Sequence, residues 1–128
     1  MEKTVRRKIL VIDDEPGFTK IIKLTLEATG SYEVRELNDP ALAVQVAREF
    51  SPGIILLDII MPELDGGDIL AKLKADPVLK KIPVLFVTGT VYKGEVEMRK
   101  GSIGGAFFIA KPVTAEGLIQ SIEDHVAP

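Results

Sequence analysis

Three acids in a row, Asp13, Asp14 and Glu15, directly follow the apolar run Ile9–Ile12. Asp58 closes a second apolar run, "GIILLD"; Thr88 stands near the end of a third, "IPVLFVTG"; Lys111 closes a fourth, "GAFFIAK". Taken singly, an Asp in such a place suits a helix cap or a turn. Taken together, these positions form an oxygen-only acidic set with one hydroxyl and one ammonium. If they share a crevice, the carboxylates raise one another's pKa and destabilise the fold unless a cation sits among them. A hard divalent ion suits that donor set, Mg²⁺ above all, with Mn²⁺ as a substitute. A carboxylate can also attack phosphorus. The oxygens of the transferring group then need the stabilisation that a divalent cation, a lysine and a hydroxyl provide. An ionised carboxylate nucleophile needs no general base, in keeping with a single histidine, His125, that reads as an exposed residue near the last helix's C-terminus.

Positioning these residues requires elements that end at one place. Short apolar runs alternate with stretches of helical spacing, βα five times, and there is no internal repeat or low-complexity tract. "KILVID" reads as a buried strand; Phe18, Ile21, Ile22, Leu24 (off the stripe by one), Leu26 and Ala28 follow at near-helical spacing, up to Gly30 as a left-handed stop. "YEVREL" alternates like a half-covered strand. In "DPALAVQVAREF", Asp39 reads as the N-cap, Pro40 as the first helical residue, and Leu42, Val46 and Phe50 as the buried stripe. "GIILLD", "IPVLFVTG" and "GAFFIAK" are strands, "GGDILAKLKAD" and "TAEGLIQSIEDHV" helices. "TVYKGEVEMRKGSIGG" is the poorest helix of the five, with Gly94 inside it. Continuous apolar strands alternating with helices predict a parallel sheet covered on both faces. The expectation is an α/β flavodoxin-like (βα)5 doubly wound sandwich with strand order 2-1-3-4-5, which sets the ends of strands 1 and 3 side by side where ligands bind.

The composition narrows the function further. With 128 residues the chain is long enough for one domain with a buried core, expected to span 1–128 with 1–7 as a tail. A net charge of −3 gives no electrostatic reason to expect nucleic acid as a partner. The absence of cysteine excludes a disulfide framework or a Cys/His zinc site and fits a reducing cytoplasm. No apolar segment approaches the roughly 20 residues needed to cross a bilayer, so no membrane partner is expected.

Asp13-Asp14 after the first strand, "LLDIIMPELDG" around Asp58, "VTGT" with Thr88 and "KPVT" with Lys111 resemble the receiver (phosphoacceptor) domains of two-component response regulators, over essentially the whole chain. The resemblance implies that Asp58 is phosphorylated, that Asp14 is the main Mg²⁺ ligand, and that Asp13 holds the metal or its bound water. The backbone carbonyl of Ile60 would complete the protein's share of the coordination. Thr88 and Lys111 would bind the phosphoryl oxygens, and Phe108 matches the family's switch aromatic. It further implies a sensor histidine kinase or phosphotransfer protein as donor, with output through a downstream protein or an effector domain outside this chain. Adding about −1.5 to −2 of charge at the crevice would draw Thr88 toward it and let Phe108 turn inward. The face made by the fourth helical segment, the fifth strand and the last helix would thereby change. Both a stand-alone receiver and a piece of a longer regulator or hybrid kinase fit this reading.

Two rival functions remain at this level. One is a haloacid-dehalogenase-like phosphatase using Asp13, with Glu15 completing the acid pair. The other is a receiver-shaped interaction module that is never phosphorylated. The chain also departs from chemotaxis-type receivers, since Ile60 is apolar where those carry an amide and Thr90 is small and uncharged. An apolar Ile60 cannot orient an attacking water, so the phosphoryl group should be comparatively long-lived. In a phosphate-release assay, Ile60→Asn is expected to dephosphorylate faster than the wild type.

Overall fold

The computed structural model describes residues 6–57, 66–88, 107–110 and 114–125, with side chains described for 6–57, 68–87 and 114–124. The elements are β1 (Arg7–Ile12), α1 (Pro16–Glu27), β2 (Tyr32–Leu37), a 3₁₀ turn (Pro40–Leu42), α2 (Ala43–Phe50), β3 (Ile54–Leu57), α3 (Gly66–Ala75), β4 (Val84–Thr88), β5 (Phe107–Ala110) and α4 (Ala115–His125). All strand pairs are parallel, in the order β2-β1-β3-β4-β5. This is the expected flavodoxin-like order. The segment read as the poorest helix lies outside the described residues.

The continuous apolar runs follow from burial on both faces, because successive strand residues point to opposite sides. Leu10, Ile12, Ile55, Leu57, Val84 and Phe86 pack with Ala47 and Phe50 of α2 and with Ile69 and Leu73 of α3. Ile9, Val11, Ile54, Leu56, Leu85 and Val87 pack with Ile22 and Leu26 of α1 and with Leu118 and Ile122 of α4. Each of the Val, Leu, Ile and Phe side chains, fully buried, contributes about 1.5–3 kcal/mol.

Three local expectations are corrected. β1 begins at Arg7, one residue inside the expected tail, because the Arg7 N–H donates to the Ser31 carbonyl at 3.0 Å. Ile21 and Leu24 are exposed; the covered line of α1 runs through Phe18, Ile22 and Leu26, with the polar Thr19 also inside it. Asp39 does cap, accepting from the Ala41 N–H at 3.2 Å, but the turn it caps is 3₁₀. The tighter winding of that turn displaces the buried stripe of the following helix to Ala43, Ala47 and Phe50 and leaves Leu42 exposed. Gly30 takes the expected left-handed conformation, φ 81°.

Two polar anchors hold the helical layers, one between helical segments and one between a helix and the sheet. Arg48 at the end of α2 donates to Asp76 Oδ2 through Nε at 2.7 Å and Nη2 at 2.6 Å. Asp76 Oδ1 accepts the N–H groups of Val78 and Leu79. Burial pushes this carboxyl upward, but Arg48 and the two N–H groups outweigh burial and hold it below the usual carboxylate range. On the other face, the buried Tyr32 hydroxyl donates to Glu123 of α4, which also pairs with Arg7 at 3.6 Å. Burial, then the Glu123 hydrogen bond and its charge, push the Tyr32 phenol from 10.0 up to about 12. A pKa raised by folding contributes stability that is complete below the unfolded value and is lost as pH rises through the folded one. The wild type should therefore lose stability between pH 10 and about 12 more steeply than Tyr32→Phe. At neutral pH that variant should be destabilised by about 1 kcal/mol in urea titrations.

Candidate functional site

The site begins where β1 runs out of apolar residues. Asp13, the next residue, is fully buried. Its backbone N–H continues the sheet by donating to the Leu37 carbonyl at 3.1 Å. Its side-chain Oδ1 accepts the Glu15 N–H at 3.0 Å, an Asx-type bond two residues along that turns the chain out of the strand. Pro16 then occupies the first turn of α1, where a missing N–H costs nothing. Glu15 is the residue preceding the helix, in an extended conformation and without a side-chain cap bond.

Behind the acids lies a polar network. Asn38, just past β2, donates from Nδ2 to the Asp13 carbonyl at 2.9 Å and to Thr19 Oγ1 at 3.0 Å. The fully buried Thr19 hydroxyl donates to Glu36 Oε1 at 2.8 Å, with the Pro16 carbonyl 3.1 Å away as its alternative acceptor. One buried hydroxyl thus joins the first turn of α1 to the end of β2, and through Asn38 to the residue that opens the site. Sequence reasoning missed Thr19, Asn38 and Glu36. The one available signal was a threonine inside an apolar helical stripe.

Asp13, Asp14 and Glu15, respectively buried, half-exposed and exposed, bring one carboxylate oxygen each to within 4.8 Å of the others. Two unit charges at this separation repel by on the order of 1–4 kcal/mol, depending on local screening. Three oxygen donors so placed fit a hard divalent cation. Glu15 sits immediately before α1, where the macrodipole favours a negative charge, and its carboxylate also reaches the cluster.

Asp58, Ile60 and Lys111 lie outside the described residues. The backbone of Thr88 is the last of β4 and pairs with Ala110, and Phe108 pairs with Phe86. Thr88 and Phe108 are therefore on adjacent strands, with Phe108 two residues back from the partner of Thr88. β1 and β3 are neighbours to their final pair, Ile12 with Leu57, and Asp13 and Asp58 are the next residues in sequence.

A family model of the response regulator receiver domain matches residues 9–123. The chain belongs to this family. It is 32% identical over 121 residues to the polar-differentiation response regulator DivK of Brucella anthropi, covering 94% of this chain and 96% of that one. It is also 32% identical to a response regulator receiver domain protein of Clostridium thermocellum, whose crystal structure superposes with a TM-score of 0.78 over 93% of both chains. The chemotaxis protein CheY4 of Vibrio cholerae, at 23% identity, shares the fold with a TM-score of 0.82, over 95% of this chain and all of that one. The chain is thus a signalling domain of two-component systems, a class that works with histidine kinases and phosphotransfer proteins. Neither the phosphatase nor the unphosphorylated scaffold is favoured. Among the described residues, no helix is long and apolar enough to cross a membrane.

Removing the Thr19 hydroxyl while keeping the side chain's shape leaves Glu36 and Asn38 without a common partner. Thr19→Val should cost about 1–2 kcal/mol in urea unfolding. Thr19→Ser, which keeps the hydroxyl, should cost less than half as much.

Proposed function

We propose that this receiver, spanning 1–128 as one unit, accepts a phosphoryl group on Asp58 from a cytoplasmic histidine kinase or phosphotransfer protein. The observation that carries this reading is the parallel pairing of β1 with β3 up to Ile12 and Leu57, one residue before Asp13 and Asp58, beside a cluster of three close carboxylates. An ionised Asp58 oxygen would attack phosphorus, forming the P–O bond as the P–N bond to the donor imidazole breaks. The leaving nitrogen keeps the electron pair and is protonated from solvent. No base is needed on the receiver.

Asp13 and Asp14, with Asp58 and the Ile60 carbonyl, would hold Mg²⁺. Bound there, the ion would offset the clustered negative charge and that of the phosphoryl oxygens. The half-exposed Asp14 can adjust to a ligand, while Asp13 is fastened by the Glu15 N–H and suits an outer or indirect role. Lys111 would bind a phosphoryl oxygen as a point charge, and Thr88 would donate to another. In drawing Thr88, the added charge would change the packing around Phe108 on the adjacent strand and alter the surface seen by a downstream protein.

Incubation with acetyl phosphate and Mg²⁺ should raise the protein's mass by one phosphoryl group. The gain should vanish in Asp58→Asn and when Mg²⁺ is chelated. Thr88→Ala should still be phosphorylated while losing phosphorylation-dependent partner binding. An unchanged mass in the wild type, or equal labelling of Asp58→Asn, would overturn the assignment.

A further inference from the structure

β2 is an edge of the sheet. The carbonyls of Ser31 and Leu37 accept from Arg7 and Asp13 on the β1 side. Odd-numbered residues of β2 thus turn their backbone groups inward, and Tyr32, Val34 and Glu36 turn theirs outward. The outward N–H of Val34 is held at 3.0 Å by the carboxylate of Glu27, a half-exposed side chain at the end of α1. An open groove of about 410 Å³ follows this edge, bounded by Lys8, Lys23, Glu49 and Phe50 and by the strand itself.

Glu33 and Arg35 stand exposed on the strand, and neither has an ion-pair partner among the described residues. Arg35 and Lys8 both lie over the Phe50 ring, 5.6 and 5.4 Å from its centroid. Two cations are held against one apolar ring, with no ion pair to either among the described residues.

We propose that β2 is the docking edge for a second copy of this chain, the two strands pairing antiparallel with Val34 opposite Val34. This register opposes outward-facing residues to outward-facing residues, as a hydrogen-bonded ladder requires. It also places Glu33 opposite Arg35 of the second copy and Arg35 opposite its Glu33, giving two cross-strand ion pairs on one face. Sliding one strand by two residues in either direction sets Glu33 against Glu33 or Arg35 against Arg35. The segment Glu33-Val34-Arg35 is therefore complementary to itself in one register, and a second copy is the partner its charges select. The Glu27 carboxylate covers the central N–H in the monomer and swings aside on pairing. Such a removable cover is one way an edge strand avoids indiscriminate association.

Sedimentation over a concentration series in low salt tests this. The wild type should dimerise. Arg35→Glu, which sets two like-charged pairs in place of two attractive ones, should raise the dissociation constant about tenfold or more. The double swap E33R/R35E, self-complementary again, should return it to within about threefold of the wild type. A wild type that stays monomeric at millimolar concentration, or a double swap no better than the single, overturns the proposal. The chain has no cysteine, so the register can be read separately. Glu33 and Arg35 would form a non-hydrogen-bonded pair with Cα atoms about 4.5 Å apart, within disulfide reach. Mixing E33C with R35C in a glutathione buffer should give a disulfide-linked heterodimer, and E33C alone should not cross-link. Equal cross-linking by E33C alone overturns the register.

Discussion

A carboxylate with no solvent exposure, placed at the end of an apolar strand, is the constraint on which the surrounding polar groups depend. Asp13 cannot be left without partners there, since desolvation of an uncompensated charge costs several kcal/mol. Its carboxylate accepts the Glu15 N–H, and its backbone is tied to Leu37 and Asn38. Those same bonds dictate where α1 begins. The buried acid is in this sense a turning point of the chain, and the acidic cluster inherits its position from the bonds around it.

The three neighbouring acids are consequently unlike in freedom although alike in chemistry. Asp13 is buried and accepts the Glu15 N–H, Asp14 is half-exposed, and Glu15 is exposed with its backbone committed to the turn. A cation held by Asp13 and Asp14 would meet one buried donor tied to the Glu15 N–H and one half-exposed donor.

Stability and chemistry are divided between the two ends of the sheet. At the starting ends of β1 and β2, Arg7, Tyr32 and Glu123 bind α4 to the strands, and on the opposite face Arg48 and Asp76 join α2 to the chain after α3. Neither anchor involves the acidic cluster. A charge added beside the acids would therefore act on neither of these anchors directly.

Much of the fold is legible from the chain alone. Apolar runs of strand length, each followed by helical spacing, dictate a parallel sheet buried on both faces, and the acids that follow the first run mark the end of the sheet where the carboxylate cluster lies. The helix faces were less legible. Ile21 fits the stripe of Phe18 by spacing yet is exposed, and Leu42 is exposed because a 3₁₀ turn rotates the helix that follows. The roles of Thr19, Asn38 and Glu36 were not legible at all. Asn38 lies 25 residues from Asp13 and 19 from Thr19, and no local period relates them. Hydrophobic periodicity is a property of neighbours in sequence, so the sequence by itself determined the layers and the end of the sheet that carries the acids. Hydrogen bonds between separate elements depend on distances that exist only once those layers have packed, and for that reason the support beneath Asp13 was decided by the tertiary structure.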